Sequence, residues 1–164
     1  MCGVTGFVEG GPAPDPEGRI RAMTAALAHR GPDGEGHWIG EGVALGHRRL
    51  AILELSEAGA QPMHSPSGRF VLAFNGEIYN HRELREMLAA EGAAPSWRGE
   101  ADTETLLAGI EAWGLDETLR RSAGMFALAL WDRRERRLLL ARDRMGEKPL
   151  YWGNAAEPSF SARS

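Results

Sequence analysis

The apolar segments of this chain come in groups of strands and helices, and their order is the strongest constraint on its fold. Residues 2–8 alternate β-forming and small residues, which predicts a strand that begins almost at the N-terminus. Residues 19–29 place apolar side chains three and four positions apart, as in an amphipathic helix. Residues 37–53 contain short apolar runs split by glycines, which favours a β-meander. Elements grouped in this way indicate an α+β fold with antiparallel sheets rather than regular βαβ units.

The second half of the chain continues this mixed order. Residues 70–74 form an apolar run that predicts a buried strand, and we expect this strand to stop at Asn75-Gly76. Asn80 is a typical N-cap for the helix that follows, and Asp102 opens a further predicted helix. Three later apolar runs predict a hairpin and one last strand: residues 125–131, 138–141 and 149–152. The α+β prediction therefore extends over the whole chain.

Length, charge and hydropathy exclude several classes of protein. A length of 164 residues with a hydrophobic fraction of 43% fits one folded domain. The formal net charge of −4 argues against a nucleic-acid partner, because nucleic-acid-binding domains are usually basic. No apolar run approaches the ~18 residues that a membrane span needs, and residues 1–5 lack the basic and apolar regions of a signal peptide. We therefore expect a cytoplasmic chain that binds neither a membrane nor nucleic acid.

The single cysteine of the chain lies at position 2. It cannot form an internal disulfide, and most lone cysteines are buried small hydrophobes or inert surface thiols. Removal of Met1 would instead place a free α-amine on Cys2, and an α-amine has a pKa of ~7.7–8.0. Such an amine can accept the thiol proton near neutral pH, so that one residue supplies both nucleophile and base. A chain that keeps Met1 is then expected to be inactive.

Six sequence blocks follow the N-terminal Met-Cys-Gly. In order, they are Arg30-Gly31-Pro32-Asp33, residues 46–52 (GHRRLAI), residues 74–81 (FNGEIYNH), Asp102-Thr103-Glu104, residues 124–127 (GMFA) and residues 141–151 (ARDRMGEKPLY). With these blocks, the chain resembles the glutaminase domain of class II glutamine amidotransferases, in the asparagine synthetase branch. The blocks occur in the family order and cover nearly the whole chain, so the resemblance is specific.

The resemblance implies an N-terminal-nucleophile hydrolase fold, a four-layer sandwich of two antiparallel β-sheets flanked by helices. It implies that residues 1–164 are a glutaminase domain, which hydrolyses L-glutamine to glutamate and passes the ammonia to a synthetase domain. No cofactor is expected in this domain, since ATP and magnesium would belong to the synthetase domain, which is absent here. The family pattern continues past Ser164, so the sandwich could be incomplete at its C-terminus. A homodimer is compatible with the resemblance.

The resemblance also implies the residues of the site. Cys2 is the nucleophile, and the Asn75 side chain and the Gly76 N–H form the oxyanion hole, for which uncharged donors are suited. The substrate-binding residues are Arg49 for the α-carboxylate, Glu77 and Asp102 for the ammonium group, and Ile52 through its backbone. Alternation along a strand sends Arg48 and Arg49 to opposite faces, so only one of them can face the site.

Several residues have simpler interpretations. Asn-Gly is the commonest signal of a type I′ hairpin turn, although no matching second strand follows Asn75-Gly76. Asp102 could serve only as a helix N-cap. Arg30 and Asp33 are expected to form a buried or semi-buried brace near the nucleophile. The five histidines show no metal-binding spacing, and with one cysteine we expect no metal site.

Two alternatives stay open at this point. The chain could be a truncated, non-catalytic module that binds glutamine or a partner without turnover, because it stops at Ser164. The same chemistry could also serve another acceptor, such as a sugar or a peptide. The blocks at residues 30–33 and 74–80 favour the asparagine synthetase branch.

Overall fold

The described part of this computed structural model comprises residues 2–9, 14–51, 54, 56–154 and 158–162. Its strands are β1 (Gly3–Val8), β2 (Gly34–Gly40), β3 (Val43–Arg49), β4 (Met63–His64), β5 (Phe70–Ile78), β6 (Gly124–Asp132), β7 (Arg137–Arg142), β8 (Leu150–Asn154) and β9 (Pro158–Ala162). Its α-helices are α1 (Pro16–Ala26), α2 (His81–Ala90), α3 (Asp102–Trp113) and α4 (Leu115–Arg121), and short 3₁₀ turns span Ala28–Arg30 and Glu57–Gly59.

The strands form two sheets in which all neighbouring strands are antiparallel. Sheet A has the order β2-β3-β1-β9-β8, and sheet B has the order β4-β5-β6-β7. Strand β1 therefore lies in the middle of sheet A, with β3 on one side and β9 on the other. Within the described ranges, no helix is both long and apolar enough to cross a membrane.

Strand alternation divides the apolar side chains into three layers of packing. Val4 and Leu45 of sheet A meet Ala73, Ala127 and their neighbours of sheet B, which fills the space between the sheets. The opposite face of sheet B packs against α2 and α3, through residues such as Leu72, Phe74, Leu84 and Leu106. The opposite face of sheet A packs against α1, through Phe7, Ile20 and Ala44. The order helix, sheet, sheet, helix confirms the predicted four-layer sandwich.

Strand β5 differs from its prediction. It does not stop at Asn75-Gly76 but continues to Ile78, and Asn75 and Gly76 pair with Ala127 and Phe126 of β6. The hairpin-turn interpretation of Asn-Gly is therefore also wrong. A side chain at Gly76 would place its Cβ within 2.3 Å of the Met125 carbonyl oxygen, so the close approach of β6 explains the glycine.

Two predicted helix starts are correct in place and differ in detail. Asn80 is the N-cap residue of α2, but its side chain makes no capping bond. Its amide instead donates to the Arg121 carbonyl and accepts from the Ala123 N–H, both at 2.9 Å, which ties α2 to the segment after α4. Asp102 is the first residue inside α3, and Ala101 is the N-cap.

The other predicted elements are close to those observed. The predicted helix at residues 19–29 begins three residues earlier, at Pro16, and ends at Ala26. The β-meander becomes the β2–β3 hairpin and ends at Arg49, and the two apolar runs after residue 124 form the β6–β7 hairpin. Strand β9 had no sequence signal.

Candidate active site

A cavity opens between the two sheets near the start of β1, and six residues of the predicted site line it. These residues are Cys2, Arg49, Asn75, Gly76, Glu77 and Asp102. Sheet A contributes the first two, β5 of sheet B contributes the next three, and α3 contributes Asp102. The remaining predicted residue, Ile52, lies outside the described residues.

Cys2 precedes β1 and is held by the end of β3. Its Sγ accepts from the Leu50 N–H at 3.4 Å and lies 3.7 Å from the Leu50 carbonyl, to which the thiol can donate. Burial raises the pKa of the Cys2 thiol above its ordinary value, while the Leu50 N–H and the Arg49 cation act in the opposite direction. A thiol with a raised pKa needs a base before it can act as a nucleophile near neutral pH.

Arg48 and Arg49 lie on opposite faces of sheet A, as predicted. Arg48 points to the outer face, where it forms a 2.8 Å ion pair with Glu35 and donates to the Thr24 carbonyl at 3.3 Å. Arg49 points into the cavity, and its Nη2 donates to the Glu54 carbonyl. Arg49 is therefore the guanidinium that can meet a carboxylate in the cavity.

The carboxylate of Asp102 is buried at the cavity wall. It accepts from the Ile78 N–H and from the Thr103 N–H, both at 2.8 Å. Burial raises the pKa of Asp102, and these two backbone donors oppose that effect. Glu77 has the same strand parity as Asn75, so both side chains leave β5 toward sheet A and the cavity. The cavity thus carries a cation from β3 and carboxylates from β5 and α3.

The edge of β5 that faces the cavity is unusual. Strand β4 pairs with β5 only as far as Leu72, so the next edge positions of β5 are Phe74, Gly76 and Ile78. Phe74 and Ile78 are hydrogen-bonded to side chains there, Phe74 through its N–H to Gln61 at 2.7 Å. Among the described residues, no acceptor bonds to the N–H of Gly76, which lies between them.

The Asn75 side chain provides a second unsatisfied donor. Asn75 is 1% exposed, and its Nδ2 has no hydrogen-bond partner among the described residues. Buried amide groups are nearly always hydrogen-bonded, because leaving one unpaired costs ~1–3 kcal/mol. Two uncharged N–H donors, Asn75 Nδ2 and the Gly76 N–H, therefore line the same cavity as the Cys2 thiol. This pair suits the negative oxygen that forms when a thiolate attacks a carbonyl.

The cavity also contains residues that were not predicted to belong to the site. His47, Gln61 and Lys148 line it, and all three are at least half-buried. His47 and Lys148 lie inside the sequence blocks, and His47 shares its strand face with Arg49, which is a signal that could have been used. Gln61 lies in a polar loop and carried no signal.

Asp33 contributes to the expected brace near the nucleophile. Its carboxylate accepts from the Ala51 N–H at 2.9 Å, and its N–H donates to the Arg49 carbonyl at 3.0 Å. Asp33 is exposed, so the prediction of a buried or semi-buried brace is wrong for this residue. A Cβ at Gly31 would come within 2.5 Å of the Arg49 backbone, so this loop packs directly on the cavity wall. In the described part of the chain, no group of three His, Cys, Asp or Glu side chains could hold a metal ion.

Comparisons with known proteins agree with this arrangement. A family model described as a glutamine amidotransferase domain matches residues 1–164. Asparagine synthetase [glutamine-hydrolyzing] 1 of Bacillus subtilis is 39% identical over 155 residues, which cover 93% of this chain and 24% of that protein. Amidase chry2 of Gibberella zeae is 34% identical over 164 residues, again covering 93% of this chain and 24% of the relative. The chain thus spans about a quarter of the length of these relatives.

One solved structure has the same fold. It is the glutamine phosphoribosylpyrophosphate amidotransferase from B. subtilis, in complex with ADP and GMP. The superposition has a TM-score of 0.78 and covers 98% of this chain and 41% of that chain, at 23% sequence identity. The sandwich is therefore that of an N-terminal-nucleophile hydrolase.

Proposed function

The chain belongs to the glutamine amidotransferase family, and from that premise we propose that it hydrolyses L-glutamine to glutamate and ammonia at the cavity between its two sheets. The observation that carries the proposal is the presence of two unsatisfied donors, Asn75 Nδ2 and the Gly76 N–H, in the cavity of the Cys2 thiol. A donor pair without a partner in the protein is what an oxyanion-binding site requires.

Charge complementarity supports glutamine as the substrate. Arg49 presents a planar guanidinium, which can bind the α-carboxylate through two parallel hydrogen bonds. Glu77 and Asp102 present carboxylates to the same cavity, where they can bind the α-ammonium group. When the α-carboxylate and the α-ammonium group of a free amino acid are both bound in this way, its side chain is the part that can contact Cys2.

The chemistry begins after Met1 is removed. The Cys2 α-amine accepts the thiol proton, and the thiolate attacks the carboxamide carbon of glutamine. The carbonyl oxygen becomes an oxyanion, which Asn75 and Gly76 bind. The C–N bond then breaks, the α-ammonium returns its proton to the leaving nitrogen, and ammonia departs from a thioester.

Water completes the cycle. The α-amine accepts a proton from water as the hydroxide oxygen attacks the thioester carbon, and the same two donors bind the second oxyanion. The C–S bond then breaks and the α-ammonium returns its proton to the thiolate, which regenerates Cys2. The new carboxylic acid loses its proton to solvent and leaves as glutamate. Each proton taken by the amine is given back, so no further acid or base is required.

The fate of the ammonia follows from the longer relatives. We propose that a synthetase domain outside these residues accepts it, as the name of the B. subtilis asparagine synthetase suggests. ATP and magnesium would act in that domain, and this cavity would handle only L-glutamine, water, glutamate and ammonia.

The test is glutamate and ammonia release from L-glutamine by the chain with Met1 removed, verified by intact mass. We expect activity in the wild type, no activity in Cys2→Ala, and a loss of about 10²–10³ in kcat in Asn75→Ala. Equal rates for the wild type and Cys2→Ala would contradict the proposal. Glutamine binding without any release would instead identify a non-catalytic binding module.

A further inference from the structure

We propose that His47 and Gln61 are positioning residues, which hold the oxyanion-binding part of β5 in place by fixing Phe74. The inference rests on the proposed function, since it concerns the donors at Asn75 and Gly76. Both side chains line the cavity, and they bond to the N–H and the C=O of the same residue.

Beyond the end of β4, two side chains make the hydrogen bonds to Phe74 that a neighbouring strand would otherwise make. In an antiparallel ladder, the N–H and C=O of one residue both bond to one residue of the neighbouring strand. Strand β4 supplies such partners only up to Leu72. At Phe74, Gln61 Oε1 accepts from the N–H at 2.7 Å, and His47 Nε2 donates to the carbonyl at 3.1 Å. Both backbone groups of Phe74, the residue just before Asn75, are therefore hydrogen-bonded to side chains.

His47 links the two sheets through this bond. It lies on β3 of sheet A, it is 1% exposed, and its partner carbonyl lies on β5 of sheet B. A carbonyl oxygen only accepts, so Nε2 carries a proton in this bond. Burial lowers the pKa of His47 to about 4, so the ring keeps this single donor near neutral pH.

Gln61 extends the restraint to α3. Its Nε2 lies 3.4 Å from the Thr103 Oγ1, next to Asp102, whose carboxylate binds the Ile78 N–H. The cavity edge of β5 is therefore held at Phe74 by His47 and Gln61, and at Ile78 by Asp102. The Gly76 N–H lies between these two anchored positions. A donor held in this way loses no freedom when charge develops on the substrate, which is the condition for strong stabilisation.

The kinetic test uses variants of the chain with Met1 removed. We expect His47→Leu and Gln61→Leu to lower kcat by about 10²-fold. A shift of about 1 Å in the oxyanion donors relative to the reacting carbonyl has an effect of this size. The KM for glutamine should change little, since Arg49 and Asp102 are untouched. His47→Gln, which keeps an N–H donor, should recover most of the lost kcat. The matched control is His64→Leu, an exposed histidine on β4, and it should behave as the wild type.

Two further measurements distinguish positioning from general loosening. The rate of Cys2 alkylation by iodoacetamide should be nearly unchanged in His47→Gln and Gln61→Leu. The melting temperature should fall by only a few degrees, about 2–4 °C for each kcal/mol lost with a bond to Phe74. A fall in kcat accompanied by equal changes in KM, alkylation rate and melting temperature would overturn the positioning role. Wild-type kcat in both leucine variants would overturn it as well.

Hydrogen exchange tests the bonds to Phe74 without reference to activity. In Gln61→Leu, the Phe74 amide should exchange roughly tenfold faster than in the wild type, because it loses its acceptor. Unchanged exchange would overturn the proposal even if kcat falls. If the wild type releases no ammonia from glutamine, the proposed function fails, whereas the exchange rates still decide whether Gln61 holds Phe74.

Discussion

At the scale of single residues, Arg48 and Arg49 show how one position along a strand decides a role. Both are arginines at the end of β3, and only Arg49 reaches the cavity, while Arg48 pairs with Glu35 on the outer face. The two residues are therefore a matched pair for substitution. Any general effect of removing a guanidinium from this strand should appear in both, whereas an effect on substrate should appear only in Arg49.

We expect Arg49→Lys to raise the KM for glutamine by roughly 10–100-fold with a smaller change in kcat, because lysine cannot bind a carboxylate through a planar fork. Arg48→Lys should leave the KM within about twofold, since Arg48 lies on the face of sheet A that points away from the cavity. Steady-state assays of glutamate release measure both. Equal KM values in the two variants would show that Arg49 does not bind the substrate carboxylate.

At the scale of elements, local sequence patterns predicted the strands and helices that depend least on residues far along the chain. The β6–β7 hairpin and helix α1 follow from apolar periodicity, because each is stabilised by contacts that the pattern itself describes. Strand β5 was predicted too short, since its partner β6 lies about fifty residues further along the chain and its pairing at Asn75-Gly76 is non-local. Strand β9 carries few apolar residues, and its pairing with β1 is likewise non-local.

The residues of the candidate site likewise fall into those that the sequence predicted and those that it did not. Cys2, Arg49, Asn75 and Asp102 were assigned from sequence blocks, and the structure brings them to one cavity. Gln61 could not be assigned, because its role depends on where β4 ends relative to β5 rather than on its neighbours in sequence. His47 differs, because its place on the strand face of Arg49 could be predicted, and only its bond to Phe74 in the other sheet could not.

Gly76 lies where β5 and β6 approach each other closely. A Cβ there would lie 2.3 Å from the Met125 carbonyl oxygen and 2.6 Å from the Phe126 Cα, and neither backbone atom can move without separating β5 from β6. We expect Gly76→Ala to lower the free energy of unfolding by about 1–3 kcal/mol, as overpacked sites do, and to reduce kcat. Urea unfolding measures the first effect. Gly153→Ala is the control, because no atom of the described residues lies within 4 Å of the added Cβ at this strand glycine. Equal losses in both variants would contradict the steric argument.

At the scale of the whole molecule, the site exists only where the two sheets meet. Sheet A supplies the thiol and Arg49, and sheet B supplies the donors at Asn75 and Gly76. The same interface that buries Val4 and Leu45 therefore buries polar groups at one end. Because the site lies in this interface, conditions that disfavour burial of those polar groups also weaken the packing of the two sheets.

His47 makes this coupling measurable through pH. Burial lowers its pKa from 6.5 to about 4, with the nearby Arg49 cation acting in the same direction and the Phe74 carbonyl opposing it. Between these two values the unfolded chain binds a proton that the folded chain cannot, so stability falls as the pH decreases from 6.5 to about 4. The full difference corresponds to roughly 3 kcal/mol. Above pH 6.5 both states are neutral at this residue, and below pH 4 both are protonated, so the effect is confined to that window.

Urea unfolding of the wild type and His47→Gln at several pH values between 7.5 and 4 separates this contribution from those of other groups. His37 and His64 also have lowered pKa values through burial, and they remain in both proteins. We therefore expect both unfolding free energies to fall with decreasing pH, and that of the wild type to fall more steeply below pH 6.5. Relative to pH 7.5, the free energy lost by the wild type should exceed that lost by His47→Gln by the largest amount near pH 4. Parallel curves for the two proteins would mean that His47 is protonated as readily in the folded chain as in the unfolded one.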